Sequence, residues 1–121
     1  KNQVKIGKDC YIAAFCFLQG CFGLEIGDYV SIAPGVKIFS DSGPNVGDLT
    51  KIYPMKQGKV IISDHAWIGA NVVILPGVEV GSRSVIATNS VVSEDVPPGV
   101  VVGGIPAKFI KKINMDILNK E

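Results

Sequence analysis

An aliphatic residue that recurs every six positions is the feature that most constrains this chain. The aliphatic positions form three runs with this spacing: Ile6, Ile12 and Leu18; Ile26, Ile32 and Ile38; and Ile62, Ile68, Ile74, Val80, Ile86 and Val92. An α-helix has 3.6 residues per turn, so a spacing of six would scatter these residues around its surface. The pattern therefore excludes a helix over these runs.

Each repeat has the pattern of a short β-strand followed by a turn. A small residue usually follows the aliphatic position, as at Gly7, Gly69 and Ala87, and another apolar or small residue stands two places before it. Alternate inward side chains are typical of strands, and Gly, Asp, Asn and Pro are typical of turns. Three units make a coil of about eighteen residues, and coils stacked about 4.8 Å apart share one core. The sequence predicts a β-solenoid over 4–103, with Ile62 beneath Val80.

Two interruptions break the repeat, a short one at "QGCFGLE" and a long one between Ile38 and Ile62. The long one, residues 39–59, begins with the polar stretch "FSDSGPNVGD". Unstructured loops beyond about 15 residues are uncommon in compact domains unless they have a function or are disordered. A solenoid can project such a loop from one corner while its coils still stack. The segment is predicted to be a functional loop, and a tolerated insertion is the alternative.

Composition and charge restrict the classes of partner. The 121 residues carry a formal net charge of +1, which argues against nucleic acid as a main partner. No apolar run approaches the ~20 residues of a membrane span, so no membrane insertion is expected. The three cysteines are an odd number without metal-ligand spacing, so free thiols in a reducing cytoplasm are expected and a metal is not. The missing initial Met is consistent with a processed or truncated piece.

The C-terminal segment has a different periodicity. Ile110, Ile113 and Ile117 are spaced as on one face of a helix. A short helix over about 108–120 is therefore predicted to cap the open end of the solenoid and to shield its strand edges.

Three segments, "IGDYVSIAPGVKI", "DHAWIGANVVILPGVEVGSRSVIATNSVV" and "VPPGVVVGGIPAKFIKKI", resemble the hexapeptide-repeat acyltransferases, and within them the maltose and galactoside O-acetyltransferase group. This resemblance covers nearly the whole chain. It implies an all-β, left-handed parallel β-helix in a single domain, assembled as a homotrimer with sites between subunits. It also implies that the loop walls the active site.

The catalytic base is where the chain departs from the resembling enzymes. Their loop usually begins with a His that takes the proton of the acceptor hydroxyl, whereas Gly43 and Pro44 stand here. His65 is the sole His, and an imidazole is the side chain most often used as a general base. The hypothesis is that His65 faces the cleft of the loop; a solvated corner residue is the alternative. Asp41 is a second candidate, as a base or as an orienting group for His65, although a loop Asp is often only a turn former.

The resemblance also implies residues that bind acetyl-CoA. Trp67, Gly69 and Ala70 would line the thioester and the lower pantetheine, and Thr88 the pantetheine arm. Ser93 stands near the far end of that arm, followed by Glu94 where a Lys is usual. Lys108 and Lys111 stand where basic residues meet the nucleotide phosphates. The alternative is that the fold alone requires small corner residues and that these Lys side chains are solvated.

The leading interpretation is an acetyl-CoA-dependent O- or N-acetyltransferase. It would transfer acetyl directly to a hydroxyl or amine of a sugar or nucleotide sugar. No covalent acyl-enzyme is expected, because the cysteines stand mostly at inward positions. The alternative is a non-catalytic trimeric β-helix that binds or assembles and has lost the base.

Overall fold

The computed structural model describes residues 3–119, which form a left-handed parallel β-helix of four stacked coils. The first coil holds β1 (Val4–Ile6), β2 (Tyr11–Ile12) and β3 (Phe17–Leu18). The second holds β4 (Leu24–Ile26), β5 (Ser31–Ile32) and β6 (Lys37–Ile38). A projecting segment follows, with β7 (Asp41–Ser42), α1 (Leu49–Ile52) and β8 (Lys56–Gln57).

Two further coils and a C-terminal hairpin complete the fold. The third coil holds β9 (Val60–Ile62), β10 (Trp67–Ile68) and β11 (Val73–Ile74). The fourth holds β12 (Glu79–Val80), β13 (Val85–Ile86) and β14 (Val91–Val92). The hairpin comprises β15 (Val100–Gly104) and β16 (Ala107–Lys112), and a 3-10 helix follows at Asp116–Asn119.

The strands form three parallel faces around a triangular cross-section. Face A contains β1, β4, β9 and β12, and face C contains β3, β6, β11 and β14. Face B contains β2, β5, β10, β13 and β15, with β16 added antiparallel at its end. Ile62 pairs with Val80 and Ile68 with Ile86, as the period of six predicts.

The core is the stack of aliphatic residues inside the coils. Ile32, Ile68 and Ile86 on face B are fully buried, and the neighbouring strands show the same alternation of buried and outward residues. Cys10 and Cys16 in the first coil are half-buried free thiols that pack against this core. Their inward positions follow from the repeat.

Each coil turns at three corners, which we name by the faces they join. The A–B corner comprises residues 7–9, 27–29, 63–65 and 81–83 of the successive coils, and the B–C corner comprises 13–15, 33–35, 69–71 and 87–89. The C–A corner follows β3, β6, β11 and β14. Small residues are needed where the chain turns: a Cβ on Gly69 would lie 2.7 Å from the Ile86 carbonyl oxygen and 2.8 Å from the Thr88 nitrogen.

The projecting segment, residues 39–59, leaves the solenoid at the C–A corner and returns to face A. Asp41 pairs with Gln57 across an antiparallel hairpin at its base. Lys59 forms an ion pair with Glu25 on β4 where the segment returns. The hydrogen bond from the Lys59 ammonium lowers the pKa of Glu25 below its usual value. The two ends of the segment are thus paired with each other, and its returning end is tied to the coil below.

The predicted C-terminal helix is wrong over much of its range. Residues 107–112 form β16, which turns back on β15 and pairs with it from Gly104↔Ala107 to Val100↔Lys112. Helical structure is limited to Asp116–Asn119, and residue 120 of the predicted range lies outside the described residues. The edge of β15 offers unpaired backbone groups, and pairing with them outweighs the weak helical spacing of the isoleucines. Within residues 3–119, no helix is both long enough and apolar enough to cross a membrane.

Ile74→Ala tests the stacked core. Ile74 is fully buried in β11, so its truncation should lower the free energy of unfolding by about 2–5 kcal/mol. The measurement is urea-induced unfolding at a fixed protein concentration. Val73→Ala is the matched control, since Val73 is the outward neighbour in the same strand, and it should cost clearly less. Equal losses from the two variants would contradict this inside–outside assignment.

Candidate functional site

A row of outward side chains runs along face B. Tyr11, Ser31, Trp67 and Val85 are in register on successive strands, on the side opposite the buried Ile residues. Tyr11 is 64% exposed and Trp67 is 55% exposed. Because strands lie about 4.8 Å apart, the small Ser31 leaves a notch between two aromatic residues about 10 Å apart. Sequence reasoning missed Tyr11 and Ser31, although each directly precedes a repeat aliphatic, as Trp67 does.

The B–C corner brings together four of the predicted cofactor residues. Trp67, Gly69 and Ala70 belong to the third coil, and Thr88 lies one coil above. The Asn89 amide donates a hydrogen bond to the Ala70 carbonyl oxygen at 2.9 Å, which fixes the two levels against each other. Gly69 lies directly against the Thr88 backbone. These residues form a continuous edge beside the exposed indole.

The C-terminal hairpin adds lysines to the end of face B. Lys111 lies in the same outward row as Trp67, three strands away. The pairings that connect them are Trp67↔Val85, Val85↔Val101 and Val101↔Lys111. Lys108 pairs with Gly103 in the same hairpin. Both lysine side chains are exposed.

Lys108 also lines a cavity of about 190 Å³ at the end of the solenoid, between the hairpin and residues 92–97. Glu94, Asp95 and Phe109 contribute to its wall. The two carboxylates lower the local positive potential in this cavity. Ser93 lies outside the cluster around Trp67, because it follows β14 at the C–A corner, across face C from Thr88.

His65 occupies the A–B corner of the third coil, two residues before Trp67. It is exposed, and its ring stacks on the Tyr29 ring with centroids 5.0 Å apart and planes inclined by 13°. The His65 amide donates to the Asp28 carbonyl oxygen at 3.0 Å. The imidazole therefore stands at the lateral edge of face B, at the level of the indole.

Asp41 lies at a different corner from His65. It begins the hairpin of the projecting segment at the C–A corner, whereas residues 63–65 form the A–B corner. The expectation that His65 faces the cleft of its own loop is wrong for a single chain, and Asp41 cannot orient it there. The strand register predicts this separation, because Ile38 precedes the loop on face C and Ile62 precedes His65 on face A.

Gln19 holds the base of the projecting segment. Its side-chain oxygen accepts hydrogen bonds from the amides of Ser40 at 2.8 Å and Asp41 at 3.0 Å, and from the Ser40 hydroxyl at 3.4 Å. Ser40 is fully buried and its hydroxyl accepts from the Phe22 amide. Gln19 is an exception in the column of small residues, and these bonds explain the exception.

A wide groove of about 560 Å³ runs along face A to the A–B corner. Asp28 and Asp64 line it, but each carboxylate accepts a backbone amide of the coil below: Lys8 donates to Asp28 and Asp28 to Asp64, at 2.9 and 2.8 Å. They are therefore structural corner groups. Across residues 3–119 no three His, Cys, Asp or Glu side chains are grouped to hold a metal ion.

Comparison with known proteins places this architecture in a class. Residues 59–94 match the family described as bacterial transferase hexapeptide (six repeats). The chain is 36% identical over 113 residues to galactoside O-acetyltransferase of Escherichia coli K12, covering 93% of this chain and 56% of that protein. The chain spans about half the length of the curated relatives it matches.

Solved structures give the same result. A hexapeptide-repeat-containing acetyltransferase from Vibrio cholerae, complexed with acetyl coenzyme A, has a TM-score of 0.82 at 36% identity, covering 93% of this chain and 61% of that one. A maltose O-acetyltransferase from Clostridium difficile 630 has a TM-score of 0.80 at 38% identity, with coverages of 92% and 59%.

By these comparisons the chain is similar to the hexapeptide-repeat β-helix proteins. Within that class it is similar to the maltose and galactoside O-acetyltransferases, which confirms the resemblance seen in the sequence.

Gln19→Ala tests the anchor of the projecting segment. Loss of the amide oxygen leaves the Ser40 and Asp41 amides without their acceptor, so the free energy of unfolding should fall by about 1–3 kcal/mol. Hydrogen exchange at these two amides should accelerate more than at Val60 in the core. Gln57→Ala is the control, because Gln57 is an exposed residue of the same segment. Unchanged exchange at Ser40 and Asp41 would show that Gln19 does not hold the segment.

Proposed function

We propose that this chain is an acetyl-CoA-dependent acetyltransferase acting on a hydroxyl or amine of a sugar or nucleotide sugar. The observation that carries the proposal is the continuous surface on face B. Along the solenoid axis this surface presents first the aromatic notch, then the indole of Trp67 and finally Lys111. The small residues of the B–C corner lie beside the indole. A surface of this length suits a long donor substrate on one side of Trp67 and a ring-shaped acceptor on the other. Their reacting ends then meet at Trp67.

The donor substrate fits the upper part of this surface. The exposed indole and the corner at Gly69, Ala70 and Thr88 offer an apolar wall and backbone groups for an extended pantetheine arm. Lys108 and Lys111 lie farther along the axis, where they contact the nucleotide phosphates. Ser93 lies at the C–A corner of the same end of the solenoid. Acetyl-CoA supplies the acetyl group as a reactive thioester.

The acceptor fits the notch between Tyr11 and Trp67. Aromatic rings pack against the apolar face of a sugar, and the Ser31 hydroxyl offers a hydrogen bond at the bottom of the notch. An acceptor in this notch lies beside the indole, at the level of Ser31 and one coil below His65. This position brings its hydroxyl or amine toward the thioester.

His65 is the general base in this proposal. It takes the proton that leaves the acceptor hydroxyl or amine as that group attacks the acetyl carbonyl. The thioester C–S bond then breaks, and CoA leaves as a thiolate that takes the proton from the imidazolium. The chain works as a homotrimer, in which the projecting segment of one subunit reaches face B of the next. Asp41 then meets a neighbour's His65 or Trp67, which it does not do within its own chain. The same assembly covers the exposed aromatic residues of face B. The protein works in the cytoplasm, as its free thiols suggest.

A non-catalytic binding trimer is the second candidate. Two observations favour it: the loop has no His, and the two candidate bases lie at different corners of the chain. Such a protein would keep the acetyl-CoA surface and lack turnover. Binding alone does not separate these candidates, so the test must measure transfer.

His65→Ala tests the proposed enzyme. The assay is release of free CoA thiol from acetyl-CoA with maltose, a galactoside, glucosamine and a nucleotide sugar as acceptors. The variant should lower kcat by about 10²-fold or more with little change in CoA affinity, as expected for loss of a general base.

Asp9→Ala is the matched control for this assay. Asp9 has the same corner position and a positive φ of 55°, compared with 63° for His65, but lies two coils from Trp67. Its turnover should stay at the wild-type value. Turnover retained in His65→Ala would remove His65 as the base and make Asp41→Asn the decisive variant. Absence of thiol release with every acceptor, with CoA still bound, would favour the binding trimer.

Charge reversal of Lys108 and Lys111 together tests the phosphate end. The double variant K108E/K111E should raise the apparent KM for acetyl-CoA more than it lowers kcat, because it removes attraction to the phosphates far from the reacting atoms. Steady-state kinetics at low ionic strength measures both constants. K112E on the same strand is the control. A KM equal to that of the control would refute the phosphate role.

A further inference from the structure

We propose that Tyr29 is a positioning residue that holds the imidazole of His65 in its working orientation. This inference rests on the proposed function, in which His65 is the base. It assigns to ring stacking the orienting role for which the sequence suggested Asp41.

The backbone of the A–B corner places the two rings one above the other. Tyr29 and His65 occupy the same place in successive coils, with positive φ values of 59° and 63°. The Tyr29 amide donates to the Lys8 carbonyl oxygen at 3.0 Å, and the His65 amide donates to the Asp28 carbonyl oxygen at 3.0 Å. These hydrogen bonds between coils fix both Cα positions, so the rings extend from a rigid column.

The contact between the rings restricts the imidazole. The centroid separation of 5.0 Å is close to the coil spacing, and the planes are nearly parallel. Rotation about the last side-chain torsion of a histidine is otherwise broad. Stacking on Tyr29 keeps the imidazole plane nearly parallel to the Tyr29 ring, which restricts this rotation.

The groups around this pair leave the stacking as the main restraint. Lys8 lies on the far side of Tyr29, with its ammonium 5.7 Å from the ring centroid, which holds the Tyr29 ring in turn. The Asp64 carboxylate, adjacent in sequence to His65, accepts the Asp28 amide instead. Arg83 occupies the equivalent corner position one coil above His65. Asp41 lies at another corner.

The test compares Tyr29→Leu and Tyr29→Phe with His65→Ala. Because the chain has one His, its ring protons can be followed individually by NMR. In Tyr29→Leu, the His65 ring protons should lose their ring-current shift, and kcat should fall by up to about 10²-fold, with KM for acetyl-CoA nearly unchanged. Tyr29→Phe keeps the ring and should restore both the shift and kcat. The kinetic assay uses acetyl-CoA with the panel sugar that gives the fastest thiol release.

The double variant H65A/Y29L separates the inference from the proposed function. If Tyr29 acts through His65, adding Tyr29→Leu to His65→Ala should cause no further loss of kcat. Full activity in Tyr29→Leu beside an inactive His65→Ala would overturn the positioning role and leave the base in place. Full activity in His65→Ala would overturn the base assignment and this inference with it. A fall in Tyr29→Phe equal to that in Tyr29→Leu would also overturn the stacking role.

Discussion

Hydrogen bonding between successive coils is the constraint on which the rest of the structure depends. Amides along the strands and at many corner positions donate to a carbonyl oxygen of an adjacent coil, as from Gly69 to Ile86 at 2.8 Å. Successive coils therefore lie about 4.8 Å apart, and residues at equivalent positions of the coils form columns along the solenoid axis. The inward columns make the aliphatic core, and the outward columns make the surface. Outward side chains on this fold are therefore arranged along columns, as on face B.

The period of six made the core and its pairing predictable, because a buried aliphatic at each coil position is a requirement of the stack. The same counting would have assigned Tyr11 and Ser31 to the row of Trp67, since all three directly precede a buried Ile. It would also have assigned His65 and Asp41 to different corners. That assignment needs the position of each unit within the eighteen-residue coil, and the two interruptions obscure it in a linear reading.

Other features depended on contacts that periodicity does not describe. The segment around Ile110 has a helical spacing, yet it forms β16 because the edge of β15 provides backbone partners. Gln19 interrupts the column of small residues because its side-chain oxygen accepts hydrogen bonds from amides of a segment that begins twenty residues later. Tyr29 occupies a corner position with no distinguishing pattern in the sequence, and the coil above places His65 on its ring. In each case a distant part of the chain decides the role of a residue.

The triangular cross-section also limits what one chain can do alone. A residue at the A–B corner and a residue at the C–A corner lie at separate vertices of the triangle, so no movement of a short side chain joins His65 to Asp41. A base at one vertex must then be oriented either by its own column or by a neighbouring subunit. The stacked Tyr29 offers the first of these, and the anchored projecting segment offers the second. If the chain transfers acetyl without a His in its loop, the groups that replace that His are His65 and Tyr29, in the corner column beside Trp67.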